Sequence, residues 1–143
     1  MAITPKELLD HAEIIGLLSE YAACLDERRF DDLPRIFTET GAIVFPGGAI
    51  RGATQLRTRT AADLERYHLT QHVVSNQLVS VNGEHATLQA NALGTHVIEP
   101  GLPSRIAVAG GRYLCDLVRT PGGWRFESIT PQYLWFAGEP MQH

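Results

Sequence analysis

Apolar residues recur at three- and four-residue spacing through Leu8, Ala12, Ile15, Leu18, Ala22 and Leu25, the stripe of an amphipathic helix running to about Asp26. Thr4-Pro5-Lys6-Glu7 marks its start: the threonine oxygen can take the Glu7 amide proton while Glu7 reaches back, and proline stands at the first helical position. Asp31-Asp32-Leu33-Pro34 predicts a short second helix with Leu33, Ile36 and Phe37 apolar and Gly41 as its stop. A brief strand at 42–45, a turn at Pro46-Gly47-Gly48 and a third helix at 53–67, with Leu56 and Leu64 inward, complete this half of the chain.

Beyond it the period becomes two. Residues 73–81 and 86–98 read as strands joined by Asn82-Gly83 as a two-residue hairpin turn, and 105–119 and 124–136 as a second long pair across Pro121-Gly122-Gly123. Residues 99–104 form a loop, and Gly110-Gly111 inside a strand predicts a bulge or sharp bend. Helices first and long antiparallel strands afterwards is the order of an α+β fold. The predicted architecture is a cone-shaped half-barrel, with a long N-terminal helix and two shorter helices packed on a strongly curved, mostly antiparallel sheet. Its concave side is too deep for side chains to fill and leaves a cavity.

Composition narrows the setting. A length of 143 residues fits one domain, 1–143, and 44% hydrophobic with 20% charged residues is ordinary for a soluble globular chain. No apolar run approaches the roughly 20 residues of a membrane span and no leader pattern opens the chain, so a cytoplasmic protein with no membrane partner is expected. The net charge is −4 and the basic residues are scattered apart from Arg51, Arg57 and Arg59, which argues against nucleic acid. Cys24 and Cys115 form no CxxC pair and no disulfide framework; both are expected to be buried and reduced.

Three segments carry a resemblance: EYAACLDERRFDDLPRIF (residues 20–37), TQHVVSN (70–76) and GGRYLCDLVRTPGGWRFESI (110–129). Together they resemble the SnoaL-like, nuclear transport factor 2-like superfamily, in its scytalone dehydratase, bile-acid dehydratase and dehydrochlorinase-like branch. The resemblance implies a small hydrophobic ligand, no cofactor, and a homodimer or higher homo-oligomer. It does not select an activity, because this architecture also serves isomerases, cyclases, epoxide hydrolases and binding proteins.

On a helical wheel with Ile15 at zero, Asp26 falls on the buried side, where a carboxylate must be neutral, hydrogen-bonded or paired. Alternatively it caps or frays at the helix end. His72 opens the first long strand; by itself it reads equally as a structural histidine. The resemblance implies a catalytic Asp26/His72 dyad, with Asp26 fixing the ring and His72 taking a proton from substrate. Tyr21, at the edge of the apolar stripe, could polarise a carbonyl or protonate a leaving group, or simply pack in the core. His96 stands about where scytalone-dehydratase-like members carry a second histidine. Asn91, Phe45, Tyr113, Tyr133 and Trp135 are the remaining candidates for a substrate-binding wall, and Asn76 for satisfying backbone at a bend.

Departures from the family pattern limit the substrate. Leu25 and Phe45 stand where scytalone dehydratases have tyrosines, and no arginine lies near Tyr133 where bile-acid dehydratases carry one. His68 and His72, four apart, could share a metal on one helix, but no glutamate follows His68 and no third ligand is apparent, so no metal is expected. No nucleophile elbow or phosphate-cradling loop occurs. Two classes stay open: a cofactor-independent lyase, isomerase or cyclase, and a non-catalytic ligand-binding or subunit-pairing domain.

Overall fold

In the computed structural model, which describes residues 2–142, helix α1 spans Pro5–Asp26. The Thr4 hydroxyl accepts the Glu7 amide at 3.2 Å and Glu7 accepts the Thr4 amide at 3.4 Å, so the predicted cap is formed. The buried face is rotated from the one centred on Ile15: Asp10, Ile14, Leu18, Tyr21 and Leu25 turn inward, while Leu8 and Ala12 are exposed. A stripe drawn through apolar residues alone leaves out Asp10 and Tyr21, two polar residues that belong to the interior.

The second predicted helix is a single 3-10 turn, Leu33–Ile36, and strand β1 begins at once as Phe37–Phe45. Gly41 is therefore no helix stop. It lies within β1, where a Cβ would press on Phe37 Cβ at 2.8 Å. A short strand β2 (Gly48–Arg51), hidden from the sequence reading by its glycine-rich surroundings, folds back on β1. Helix α2 follows as Gly52–Leu64, three residues shorter at its end than predicted.

Four long strands complete the chain: β3 (Leu69–Asn82), β4 (His85–Val97), β5 (Ile106–Thr120) and β6 (Gly123–Gly138). The sheet order is β2-β1-β6-β5-β4-β3, antiparallel throughout except for the parallel pair β1–β6. This is the α+β half-barrel the sequence predicts: a curved, unclosed sheet with α1 packed on β3 and α2 on β1. Its apolar core joins Ile14 and Leu18 of α1 to Leu88, Leu117, Trp124, Phe126 and Ile129 of the sheet.

Two local readings shift by a residue. Asn82 pairs with His85, so the β3–β4 turn residues are Gly83-Glu84, with a positive φ of 65° at Gly83 alone, as a type II′ turn demands of its first central position. The irregularity foreseen at Gly110-Gly111 lies across from them: Gly110 pairs with Trp135 and Gly111 with Tyr133, leaving Leu134 of β6 as the extra residue. A second bulge sets Asn76 and Gln77 of β3 against Ala90, and Asn76 takes a φ of 54°. Asn76 is thus a bend residue, tolerated because its short amide side chain suits the left-handed region.

One polar lock ties α1 to the far hairpin. Asp10 accepts both Arg119 Nη atoms, at 3.0 and 2.9 Å, and the buried Trp124 indole N–H at 3.1 Å, while the Arg119 guanidinium stacks 4.5 Å from the Trp124 ring centre. The Arg119 hydrogen bonds hold the Asp10 carboxyl below its ordinary range against the opposing effect of burial. A carboxyl whose folded pKa lies below its unfolded value adds stability that is complete above the unfolded value, about 4, and disappears as pH falls through the folded one. Asp10→Asn should be less stable than the natural chain at pH 7 by about 1 kcal/mol, and should lose less on acidification. Melting curves at pH 7 and pH 3 check this, and identical acid slopes for both proteins would refute it.

Candidate active site

The end of α1 is stitched to the start of β3. After Asp26 the chain turns through Arg28, whose guanidinium donates to the Tyr67 carbonyl at 2.5 Å and to the His68 carbonyl at 3.1 Å. That clamp sets the last helical residue beside the first strand residues. The Asp26 carboxylate then takes three donors: His72 Nδ1 at 2.7 Å and the Thr70 hydroxyl at 3.0 Å on Oδ1, and the His72 backbone amide at 2.8 Å on Oδ2.

Burial alone would push the Asp26 carboxyl up. The hydrogen bonds from the His72 ring, the His72 amide and Thr70 outweigh it and hold the group below its ordinary value. An ionised carboxylate only accepts, so Nδ1 of His72 carries a proton, and in the neutral ring this tautomer leaves Nε2 as the nitrogen with the lone pair. The His72 side chain is 10% exposed and that of Asp26 23%. His72 lines a cavity of about 530 Å³, and Asp26 stands behind it.

His96 shares this corner. Thr70, His72 and Val74 of β3 face His96, Gly94 and Ala92 of β4 on the concave side. The His72 and His96 rings meet edge-on with centres 5.6 Å apart, and Tyr67 packs on His96 at 4.7 Å. Gly94 makes room for both imidazoles, since a Cβ there would stand 3.2 Å from each ring. His96 Nδ1 lies 3.0 Å from the Ala107 carbonyl, an acceptor, so it too is the protonated nitrogen. Burial pushes the His96 pKa down, so the ring stays neutral with a free Nε2 lone pair.

Tyrosines line the cavity's other walls. Tyr21 sits at the centre of the buried face of α1, not at its edge, and packs edge-on against Phe37 and Tyr113 at 6.3 and 5.7 Å. Burial pushes the Tyr21, Tyr113 and Tyr133 phenols up, each further raised by a neighbouring phenol or carboxylate, so all three keep their protons. They are donors. Burial also lifts the thiols, Cys24 to about 11 and Cys115 to about 12, which leaves no thiolate to act as nucleophile.

Among the residues expected from sequence, Tyr21, Phe45, His72, His96, Tyr113 and Tyr133 line the cavity together. Asn91 and Trp135 do not. The concave set of β4 is Ala90, Ala92, Gly94 and His96, so Asn91, an odd number of residues from His96, points to the convex face. Trp135 would share the face of Tyr133 in a regular strand, but Leu134 reverses the alternation and brings Phe136 inward instead. His68 precedes β3 and is exposed, so it shares no helix face with His72. Thr70 and Gly94 escaped the sequence reading, although Thr70, two residues before His72, shares its face by strand alternation.

The profile of a family described as SnoaL-like domain matches residues 6–130. Rv2910c, an uncharacterized protein of Mycobacterium tuberculosis, is 33% identical over 125 residues, covering 86% of this chain and 84% of the relative. Among solved structures, the Kfla4162 protein of Kribbella flavida superposes with a TM-score of 0.82 at 25% identity, over 90% of this chain and 93% of that one. The hexachlorocyclohexane dehydrochlorinase LinA-type3 of Novosphingobium barchaimii gives 0.81 at 18% identity, over 95% and 94%.

Proposed function

The chain belongs to the SnoaL-like domain family, and from that premise we propose that it is a cofactor-independent enzyme in which His72 removes a carbon-bound proton from a small hydrophobic, ring-type molecule. The observation supporting this reading is the 2.7 Å pair between His72 Nδ1 and an ionised Asp26, which leaves Nε2 as a lone-pair base toward a sheltered cavity. Proton abstraction puts positive charge on the His72 ring beside Asp26 and negative charge on the substrate oxygen. The phenols of Tyr21 and Tyr113 are donors for that oxygen. Loss of water or halide, double-bond migration or ring closure then completes the reaction, according to the substrate's own leaving group.

Leu25 and Phe45 present apolar surface to the cavity, which argues against a scytalone-type water held between phenols. The experiment is incubation in D2O with 1-tetralone, a bicyclic ketone of suitable size, followed by mass spectrometry. Deuterium uptake at the carbon beside the carbonyl, faster than in buffer and dependent on His72, supports the reading; uptake unchanged in His72→Ala overturns it.

No helix among the described residues is long and apolar enough to cross a membrane. We place the activity in the cytoplasm, a reading supported by two buried, unpaired cysteines. The convex sheet face exposes Leu69, Val73, Leu78, Leu93 and Trp135, an apolar surface suited to pairing with a second copy. Sedimentation should therefore give a homodimer or larger closed assembly, and a stable monomer at micromolar concentration would remove this part of the proposal.

A further inference from the structure

Two of the three donors on the Asp26 carboxylate belong to His72 itself. The third is the Thr70 hydroxyl, among the described residues the one donor to Asp26 that comes from outside the dyad. Thr70 is 8% exposed, and strand alternation puts it on the same face of β3 as His72, two residues on. Its hydroxyl does not share the carboxylate evenly. It donates at 3.0 Å to Oδ1, the oxygen that also accepts His72 Nδ1 at 2.7 Å, and leaves Oδ2 to the His72 amide.

Two donors on one oxygen draw on the same electron density. A proton accepted by the dyad turns a pair of net charge −1 into one of net charge zero, and a hydrogen bond to the carboxylate is stronger before that charge is compensated than after. Thr70 therefore favours the unprotonated pair. Against the upward push of burial, its bond is also one of those that hold the Asp26 carboxyl below its ordinary range. The other polar groups around the pair are engaged elsewhere. His96 of β4 meets the His72 ring edge-on but turns its Nδ1 to the Ala107 carbonyl, and Tyr67, packed on His96, accepts the Gln142 amide. Arg28 spends its guanidinium on the Tyr67 and His68 carbonyls. Tyr21 of α1, Tyr113 of β5 and Tyr133 of β6 line the cavity as protonated phenols, and Asp63 of α2 pairs with Arg66 at 3.7 Å.

We propose that Thr70 is a positioning residue that sets the working pH of the site: by sharing Oδ1 with His72, its hydroxyl holds the Asp26–His72 pair in the unprotonated state that can take a proton from substrate. Activity then persists to lower pH with the hydroxyl than without it. The inference rests on the dyad reading for its catalytic meaning, whereas the proton affinity of the pair can be measured without any turnover.

The experiment titrates the natural protein, Thr70→Val and Thr70→Ser by proton NMR, following the His72 Cε1 proton, which is identified by its loss in His72→Ala. Deuterium uptake into 1-tetralone is measured over the same pH range. Valine keeps the shape and removes the hydroxyl. In Thr70→Val the titration midpoint should move up by about half a pH unit, and the acid limb of uptake should move with it; Thr70→Ser should restore both. Should Thr70→Val fail to fold, Thr70→Ala takes its place. A midpoint that stays in place or moves down, or one that moves equally in Thr70→Ser, overturns the inference. So does a loss of rate or of melting temperature without a moved midpoint, which is what a merely structural contact would give. Uptake that depends on His72 with an unmoved midpoint defeats this inference alone; a moved midpoint without His72-dependent uptake defeats the dyad as a catalyst and leaves the control of its proton affinity by Thr70 standing.

Discussion

His72→Ala is expected to lower the rate of carbon–proton abstraction by about 10³-fold, within the range general-base catalysis contributes, while leaving ligand affinity nearly unchanged. It should also cost about 1 kcal/mol of stability, because the part-buried Asp26 carboxylate loses its Nδ1 donor, an effect far too small to account for the loss in kcat. Asp26→Asn is the sharper variant, because it keeps shape and removes charge. The carboxylate accepts donors on both oxygens: Thr70 and His72 Nδ1 on Oδ1, the His72 amide on Oδ2. An asparagine must turn its NH2 group toward one of these sets. Facing Oδ2's place it meets the His72 amide, donor against donor; facing Oδ1's place it asks Nδ1 for a lone pair and moves the ring proton to Nε2, the nitrogen that must be free. Either way a loss of about 10²-fold or more in kcat is expected. Stopped assays with both variants, alongside calorimetric binding and melting curves, check the pair. If both turn over like the natural chain, the dyad has no catalytic role.

Gly111→Ala should damage the fold more than any other single methyl considered. A Cβ on Gly111 would collide with the Gln132 backbone carbonyl and stand 3.1 Å from the Leu134 amide, both held in the β6 bulge. Backbone on both sides cannot yield as a side chain can. The cost is placed at about 3 kcal/mol, or a fall of about 10 °C in Tm for a chain of this size. The neighbouring Gly110→Ala meets the Trp135 ring instead. That side chain is half exposed on the convex face and can swing outward, so a smaller loss is expected. Melting the two variants side by side tests the distinction; equal losses would mean that the bulge is not the constraint. Since Gly110, Gly111, Gln132 and Tyr133 all line the cavity, Gly111→Ala, which must displace the β6 backbone there, should also weaken 1-tetralone binding.

The two glycines also mark where sequence reading reached its limit. Gly110-Gly111 announced an irregularity, yet the extra residue is Leu134 on the opposite strand, and that single insertion decided that Phe136 and not Trp135 enters the cavity. In a strand the side-chain period is two, so one unforeseen residue exchanges the faces of everything beyond it. The same alternation, without a bulge, could have shown that His96 and Asn91 cannot both face inward. On α1 the difference has another source: a stripe drawn through apolar residues passes over Asp10, whose partners Arg119 and Trp124 lie more than a hundred residues away.

What the chain determines locally, it announces locally: the α1 cap at Thr4 and Glu7, the change of period from helical to alternating, the hairpin turns, and the order of helices before strands that forces an α+β half-barrel. Each follows from backbone and side-chain preferences acting within a few residues. Only the tertiary structure decided which polar groups meet, because the Asp26–His72 pair, the Thr70 hydroxyl that joins it and the inward face of β6 depend on sheet curvature and register, and those are set by packing between segments far apart in the chain.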